Sequence, residues 1–346
     1  MTNSSKNKKP NGCLWSFAFT ITLFFMGIVA TIFTDLPFWL AFGIALLPAY
    51  ILTNNWVGKV SVPSTLKNGF LVIILVLGVR FGVHYLFSFL TEDVRSEHTF
   101  KPEEGIAMTT LIEDNDTINV FSSHRVWNDN FGNKYQGALT VRERDYLRLY
   151  DHISNFKPRT NGNYWGALYD YMEQKDGPSL DLVMETFNTI HQERKLNQMQ
   201  FAEMVVSCIQ DIPYSLVFQD ECLAAENYED SIKRVLEECP DCCIGGVSFG
   251  VQNPVSFLQN LKGDCDTRTV LIYTILKHFN YDVAILNSDF YKHSILGINL
   301  PAQGIYKPYY GKRYAVWETT AKYFTAGQLP VNFSDIDYWK VILTSK

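Results

Sequence analysis

The chain has no glycine-rich phosphate loop, no box of spaced metal ligands and no basic stripe, and its formal net charge is -6. A nucleotide-driven enzyme or a nucleic-acid binder therefore finds no support in it, since each needs one of those features to hold phosphate. No cofactor, no metal and no nucleic acid are expected. Residues 95–346 also lack internal repeats, low-complexity tracts and any long apolar run. Cysteine is scarce, at seven residues, and four of the seven crowd together as Cys222, Cys239, Cys242 and Cys243.

What is present divides unevenly. A hydrophobic share of 47% and a mean hydropathy of -0.05 conceal an apolar N-terminal third. Three apolar runs stand there, Cys13 to Phe33, Leu36 to Leu52 and Gly69 to Leu90, each near the ~20 residues that cross a hydrocarbon core. Lys6, Lys8 and Lys9 precede the first run as they would in a signal peptide. The run is too long for that, and a second begins after only Thr34 and Asp35. The expectation is a three-helix transmembrane region over 13–91 in contact with membrane lipid. Lys6, Lys8 and Lys9, with Lys59 and Lys67 before the third run, place residues 1–12 in the cytoplasm by the positive-inside rule. An integral protein of a bacterial inner or plasma membrane, with its C-terminal part extracytoplasmic, is the implied placement. Arg80 and His84, one turn apart on the third run, read as a helix packing contact or the seam of a homo-oligomer.

Residues 92–118 are polar and acidic and read as a juxtamembrane linker, and 119–197 as a mixed strand and helix segment. Alternation around Val120 to Val126 and Gln136 to Val141 suggests strands joined by a turn at Asn130, Gly132 and Asn133. Apolar spacing then predicts helices near 142–156, 164–174, 179–194 and 198–210, the last closed by Asp211, Ile212 and Pro213. Further helices are expected over 230–238, 254–260 and 268–278. The fold class is α+β.

Gly263, Asp264, Cys265, Asp266 and Thr267 lead into the last of those helices. A cysteine at a helix N-terminus gains a lowered thiol pKa from the unpaired amides and the macrodipole. A strand from Val283 to Asn287 follows, then His293 at the head of a second strand and Glu318 at the end of a third. That order suits a thiol nucleophile, a histidine base and a carboxylate that orients the imidazole.

Gly-Asp-Cys-Asp before an apolar helix, then His293, then Trp317, Glu318, Thr319 and Thr320, resembles the transglutaminase-like superfamily, a papain-like cysteine-enzyme core, in its membrane-anchored bacterial type. Ile209 to Tyr214 and Gln252-Asn253-Pro254 also resemble upstream segments of that family. The resemblance covers roughly 198–325 and implies a transglutaminase-like domain over 198–346, with a nucleophile helix packed on an antiparallel sheet. It implies a Cys265–His293–Glu318 triad, a thioester acyl-enzyme, and amidase, peptidase or amine-transferring activity on a peptide or protein substrate at the cell envelope. It also implies an oxyanion donor from an upstream side chain, Gln210 or alternatively Gln252. The family's third member is usually Asp, where this chain has Glu318; Asp289 is the alternative orienter. A catalytically inactive binding or assembly module on the same scaffold is the competing reading.

The four crowded cysteines read as disulfides, with Cys222 joined to one of Cys239, Cys242 and Cys243. The Cys-x-x-Cys spacing of Cys239 and Cys242 keeps a zinc site as the sharper alternative. A catalytic Cys265 must stay out of those pairings.

Overall fold

The computed structural model describes residues 12–34, 38–58, 105–157 and 162–346. The chain divides into two compact units, Met1–Ser96 and Glu97–Lys346.

In the first unit, α1 (Gly12–Thr34) packs against α2 (Phe38–Val57). Trp15 is buried between them, edge-on to Tyr50, and its Nε1 donates to Asn54 Oδ1 at 3.0 Å. Among the described residues no helix is long and apolar enough to cross a membrane. The expected transmembrane anchor is thereby overturned, together with the integral-membrane placement built on it. An apolar count along each run overlooks what the helices put at their contact. Ser16 and Thr53 are buried there; elsewhere Thr20 and Thr22 turn their hydroxyls onto carbonyls one turn back, and α2 carries Pro48 within it. The run Gly69 to Leu90, with Arg80 and His84, lies outside the described residues, as do Lys59 and Lys67.

The second unit is α+β and opens with an antiparallel meander of β1 (Ala107–Glu113), β2 (Asp116–Asn128) and β3 (Lys134–Arg142). Asp114 and Asn115, both at positive φ, form the two-residue turn between Glu113 and Asp116, the twist that a tight hairpin needs. The described part of the expected linker is therefore strand: β1 and the first residues of β2 occupy it.

Four helices follow: α3 (Glu143–Ser154), α4 (Tyr164–Asp176), α5 (Asp181–Arg194) and α6 (Gln198–Gln210). A reciprocal pair of side-chain bonds between Asn197 and Gln200 starts α6, and every residue from Phe201 to Gln210 is buried. A helix buried all round is a central one. Beyond it come β4 (Leu216–Val217), α7 (Asp230–Glu238), β5 (Cys243–Ile244) and α8 (Pro254–Asn260). A second central helix, α9 (Cys265–His278), packs against α6.

The remaining strands are β6 (Val283–Ser288), β7 (His293–Ile298), β8 (Tyr306–Tyr309), β9 (Lys312–Trp317) and β10 (Lys340–Thr344). They form one antiparallel sheet in the order β10-β6-β7-β9-β8. Helix α9 lies on β6 and β7. One face of the sheet joins a core that runs from Phe121 and Leu139 through α6 and α9 to Trp317, so 119–197 and 198–346 share a single interior. The other face buries Leu286, Ile295, Tyr314 and Trp339. Leu296 stands opposite Trp317 in register, which brings the head of β7 and the end of β9 together above the start of α9.

Candidate active site

Asp264 is the N-cap of α9, its side chain accepting from Thr267 N at 3.1 Å. Gly263 precedes it because a Cβ there would lie 2.8 Å from the Phe257 ring and 2.9 Å from the Thr267 methyl. Arg268, fully buried one turn into α9, donates to Gly263 O at 2.9 Å, Ile209 O at 3.0 Å and Pro213 O at 2.5 Å. Those three bonds fasten the end of α6 to the segment that delivers Cys265. A bridge between Tyr214 and Gly263 adds to the same seam.

Cys265 is the first residue of α9 and is 6% exposed. The backbone amide of Ser294, the residue after His293, acts on its thiol in the lowering direction. His293 Nε2 lies 2.9 Å from Glu318 Oε2, so the imidazole donates that proton and keeps Nδ1 as its other polar atom. Phe333 and Trp339 pack on the ring at 5.1 Å and 6.0 Å between centroids. Glu318 Oε1 accepts from Thr319 N at 2.9 Å, Thr320 N at 2.8 Å and Thr320 Oγ1 at 2.6 Å. Imidazole and carboxylate thus meet where β7 and β9 converge, and the thiol heads the helix that packs on β7.

Electrostatics divides the three. Burial works to raise the Glu318 carboxyl, but the bond and charge of His293 and the bonds from Thr320 outweigh it and hold it below the ordinary range. The Cys265 thiol is pushed well up, by burial first and then by the charges of Asp266 and Asp264. The expectation of a lowered thiol pKa at the helix N-terminus is thus reversed: the helix end is favourable, but burial and two flanking carboxylates act against the thiolate. Asp264 is itself raised, by burial and by Asp266. Asp266 in turn accepts from the Ser294 hydroxyl.

The other residues singled out in the sequence fall elsewhere. Gln210 is buried beside the site, yet its Nε2 donates to Glu318 O at 2.7 Å and Phe324 O at 3.1 Å. Its amide is a brace for the turn after β9, not a donor turned toward the sulfur. Gln252 Nε2 is likewise engaged, with Lys262 O and Asn260 Oδ1. Asp289 is exposed and paired with Lys340 Nζ at 3.0 Å, which leaves the orienting place to Glu318. Disulfides join Cys222 to Cys243 and Cys239 to Cys242, while Cys208 and Cys265 are free and buried. The cysteine-rich turn is therefore held by sulfur bonds of the kind that persist in oxidising surroundings. Among the described residues no group of three or more His, Cys, Asp or Glu is placed to hold a metal ion.

Sequence reasoning missed four contributors. The Ser294 amide carries no side-chain signal. Arg268 sits in the first turn of an apolar helix, far from Lys277 and His278 at its end, and a cation so placed is a sign of a buried task. Phe333 and Trp339 are distant in sequence from the histidine they pack on. Set against known proteins, the chain matches no family model, no curated protein and no solved structure.

Proposed function

We propose that residues 97–346 form a cysteine acyl-transfer enzyme of transglutaminase-like type, acting on peptide or carboxamide bonds. The observation that supports it most is the hydrogen-bonded His293–Glu318 pair, with a free thiol at the start of the helix that packs on the strand this histidine opens. Because the thiol is held protonated, attack and proton transfer belong to one step. His293 takes the proton as the Cys265 sulfur bonds to the carbonyl carbon, and Glu318 stabilises the imidazolium. The same proton then goes to the departing amine, leaving a thioester for water or a second amine. The Ser294 amide, which draws the thiol toward its charged form, is a donor available to the forming charge.

A specific observation favours a second reading. Cys265 and Glu318 are 6% and 1% exposed, so an inert scaffold that binds without reacting would look the same at rest. Iodoacetamide labelling of the full chain near neutral pH, read by peptide mass spectrometry, separates the two. The enzyme reading expects Cys265 to be alkylated in wild type and much more slowly in His293→Ala. A folded wild-type protein whose Cys265 never labels would establish the inert scaffold.

A further inference from the structure

Side-chain N–H groups from three places in the chain converge on one main-chain oxygen, the carbonyl of Phe324. Asn130 Nδ2 lies 3.1 Å from it, Gln210 Nε2 3.1 Å and Trp317 Nε1 2.8 Å. Gln210, at the end of α6, also donates to Glu318 O and so closes the turn 318–324 upon itself, and Trp317 ends the strand that leads into that turn. Asn130 comes from far outside. It stands 194 residues earlier, between β2 and β3.

Asn130 is firmly held. The carboxylate of Asp129, 6% exposed, accepts from Phe131 N at 2.9 Å, Asn133 N and Asn133 Nδ2 at 2.8 Å and Tyr135 OH at 3.1 Å, which sets the shape of the β2–β3 turn. Glu203 of α6, 1% exposed, accepts from Asn130 N at 3.3 Å and from Asn130 Nδ2. Glu203 Oε1 and Phe324 O are both acceptors, so the amide can face them only with its nitrogen, one proton to each.

A second link runs beside the first. Lys322 Nζ lies 2.7 Å from Asp211 Oδ1, and Asp211 Oδ2 lies 2.8 Å from Arg125 Nη2 of β2. Tyr323, between the two anchored residues, holds φ at 70°, a conformation uncommon for a residue with a β-carbon and kept where its surroundings impose it. The meander thus grips at Lys322 and Phe324 the same turn whose Thr319 and Thr320 hold Glu318 Oε1.

We propose that Asn130 is a positioning residue for the site: held by Glu203, it fixes the turn 319–324 through Phe324 O, with Lys322 on the Arg125–Asp211 pair as second anchor, and so sets Glu318 against His293. It acts through the turn and not at the reacting atoms. Residues 119–197 thereby serve the site as well as the core. The service of this pair to Cys265 rests on the enzyme reading above; the positioning of Glu318 does not.

The test therefore reads the imidazole as well as the thiol. In the full chain labelled with ¹⁵N-histidine, the Nε2–H proton that His293 donates to Glu318 gives a downfield NMR signal, assigned by its loss in His293→Gln. Asn130→Asp keeps the shape of the side chain and sets an oxygen against two acceptors. The signal should broaden or vanish, and Cys265 alkylation at pH 8 should slow by about tenfold or more, as a misplaced catalytic group requires. Asn130→Asp with Glu203→Gln returns an N–H to the buried pair but none to Phe324 O. That double variant should regain stability in urea while the signal and the alkylation rate stay as in the single variant. Should Asn130→Asp not fold, Asn130→Ser, too short to span Glu203 and Phe324, carries the same expectation for signal and rate. A wild-type signal in either single variant, or its return in the double variant, would overturn the proposal and leave Asn130 to the packing of α6. Wild-type Cys265 inert to iodoacetamide would remove the enzyme reading, and the imidazole signal would still decide the role of Asn130.

Discussion

Glu318 reaches His293 with one carboxylate oxygen while the turn that follows it grips the other: Oε2 lies 2.9 Å from Nε2, and Oε1 accepts three bonds from Thr319 and Thr320. A glutamate can therefore occupy the orienting place. Its extra methylene is taken up by folding the side chain back over its own turn, and the Thr-Thr pair that follows supplies the donors. Thr319 is in turn held by Thr269 of α9, hydroxyl to hydroxyl at 2.8 Å, so the grip is referenced to the nucleophile helix.

Replacing that carboxylate tests the relationship directly. In Glu318→Gln the single amide oxygen cannot face both His293 and the Thr donors, and an amide N–H turned to His293 Nε2 shifts the ring proton to Nδ1, the nitrogen that has to take the thiol proton. Alkylation of Cys265 at neutral pH should slow by ~10²-fold or more, the scale of a lost general base. Glu318→Asp, one methylene short, keeps only one of the two sets of bonds and should fall between the two. Wild-type alkylation rates in the Gln variant would show that the pair does not serve the thiol.

Asp266 bears on the thiol with the opposite sign. Its charge is the largest cause after burial of the raised Cys265 pKa, so removing it should make the sulfur more acidic. Asp266→Asn keeps an oxygen for the Ser294 hydroxyl. The midpoint of the alkylation rate against pH should move down, and the rate at neutral pH should rise. A midpoint that stays or moves up would mean that the Asp266 charge does not govern the thiol.

Arg268 is the fastening of the site. Burial draws its guanidinium down to about 10, yet it still donates to three main-chain carbonyls from two segments. Arg268→Leu strips all three at once. With roughly 1–3 kcal/mol for each buried acceptor left unmatched, the loss in urea unfolding should be about 3 kcal/mol or more. A loss within ~0.5 kcal/mol, the scale of an ordinary surface change, would show that these carbonyls find other donors.

The sequence disclosed the parts of this site that announce themselves by pattern. The apolar helix after Cys265, the strands that carry His293 and end at Glu318, and the clustered cysteines all have local signatures, and the structure forms each of them and pairs His293 with Glu318. What stayed hidden has none. β1 is exposed along most of its length, with Ile112 at 76%, so its residues show no inward alternation. β10 pairs with β6 across a bulge, from the far end of the chain. Gln210 reads as a free amide until the turn carbonyls of Glu318 and Phe324 are placed against it. The thiol's acidity is not legible because a helix terminus is visible in sequence, whereas burial is a property of the packed whole. The apolar N-terminal runs give no sign of the polar contact between Trp15 and Asn54.

Asp176 gives the unit a pH dependence of stability that can be isolated. It is fully buried at the end of α4, and Oδ2 accepts from Asn253 Nδ2 at 2.6 Å and Val255 N at 2.8 Å, while Oδ1 has no partner. Burial raises its carboxyl from 3.8 to about 7, against the lowering effect of those two bonds and of Arg148. Below the lower value both native and unfolded chains hold the proton. Between the two the unfolded chain releases it and the native chain does not, so stability falls as pH rises through that window and levels off above about 7. Glu203, raised to about 7 by burial first, adds a slope of the same sign. Asp176→Asn keeps an oxygen for both donors and carries no charge to bury. Between about pH 5 and pH 8 its stability in urea should gain on wild type by a few kcal/mol, at about 1.4 kcal/mol for each pH unit of displacement. Glu203 and Asp264, both raised by burial first, contribute to the slope that remains. Parallel stability curves for the two proteins over that range would mean that Asp176 keeps an ordinary acidity in the folded unit.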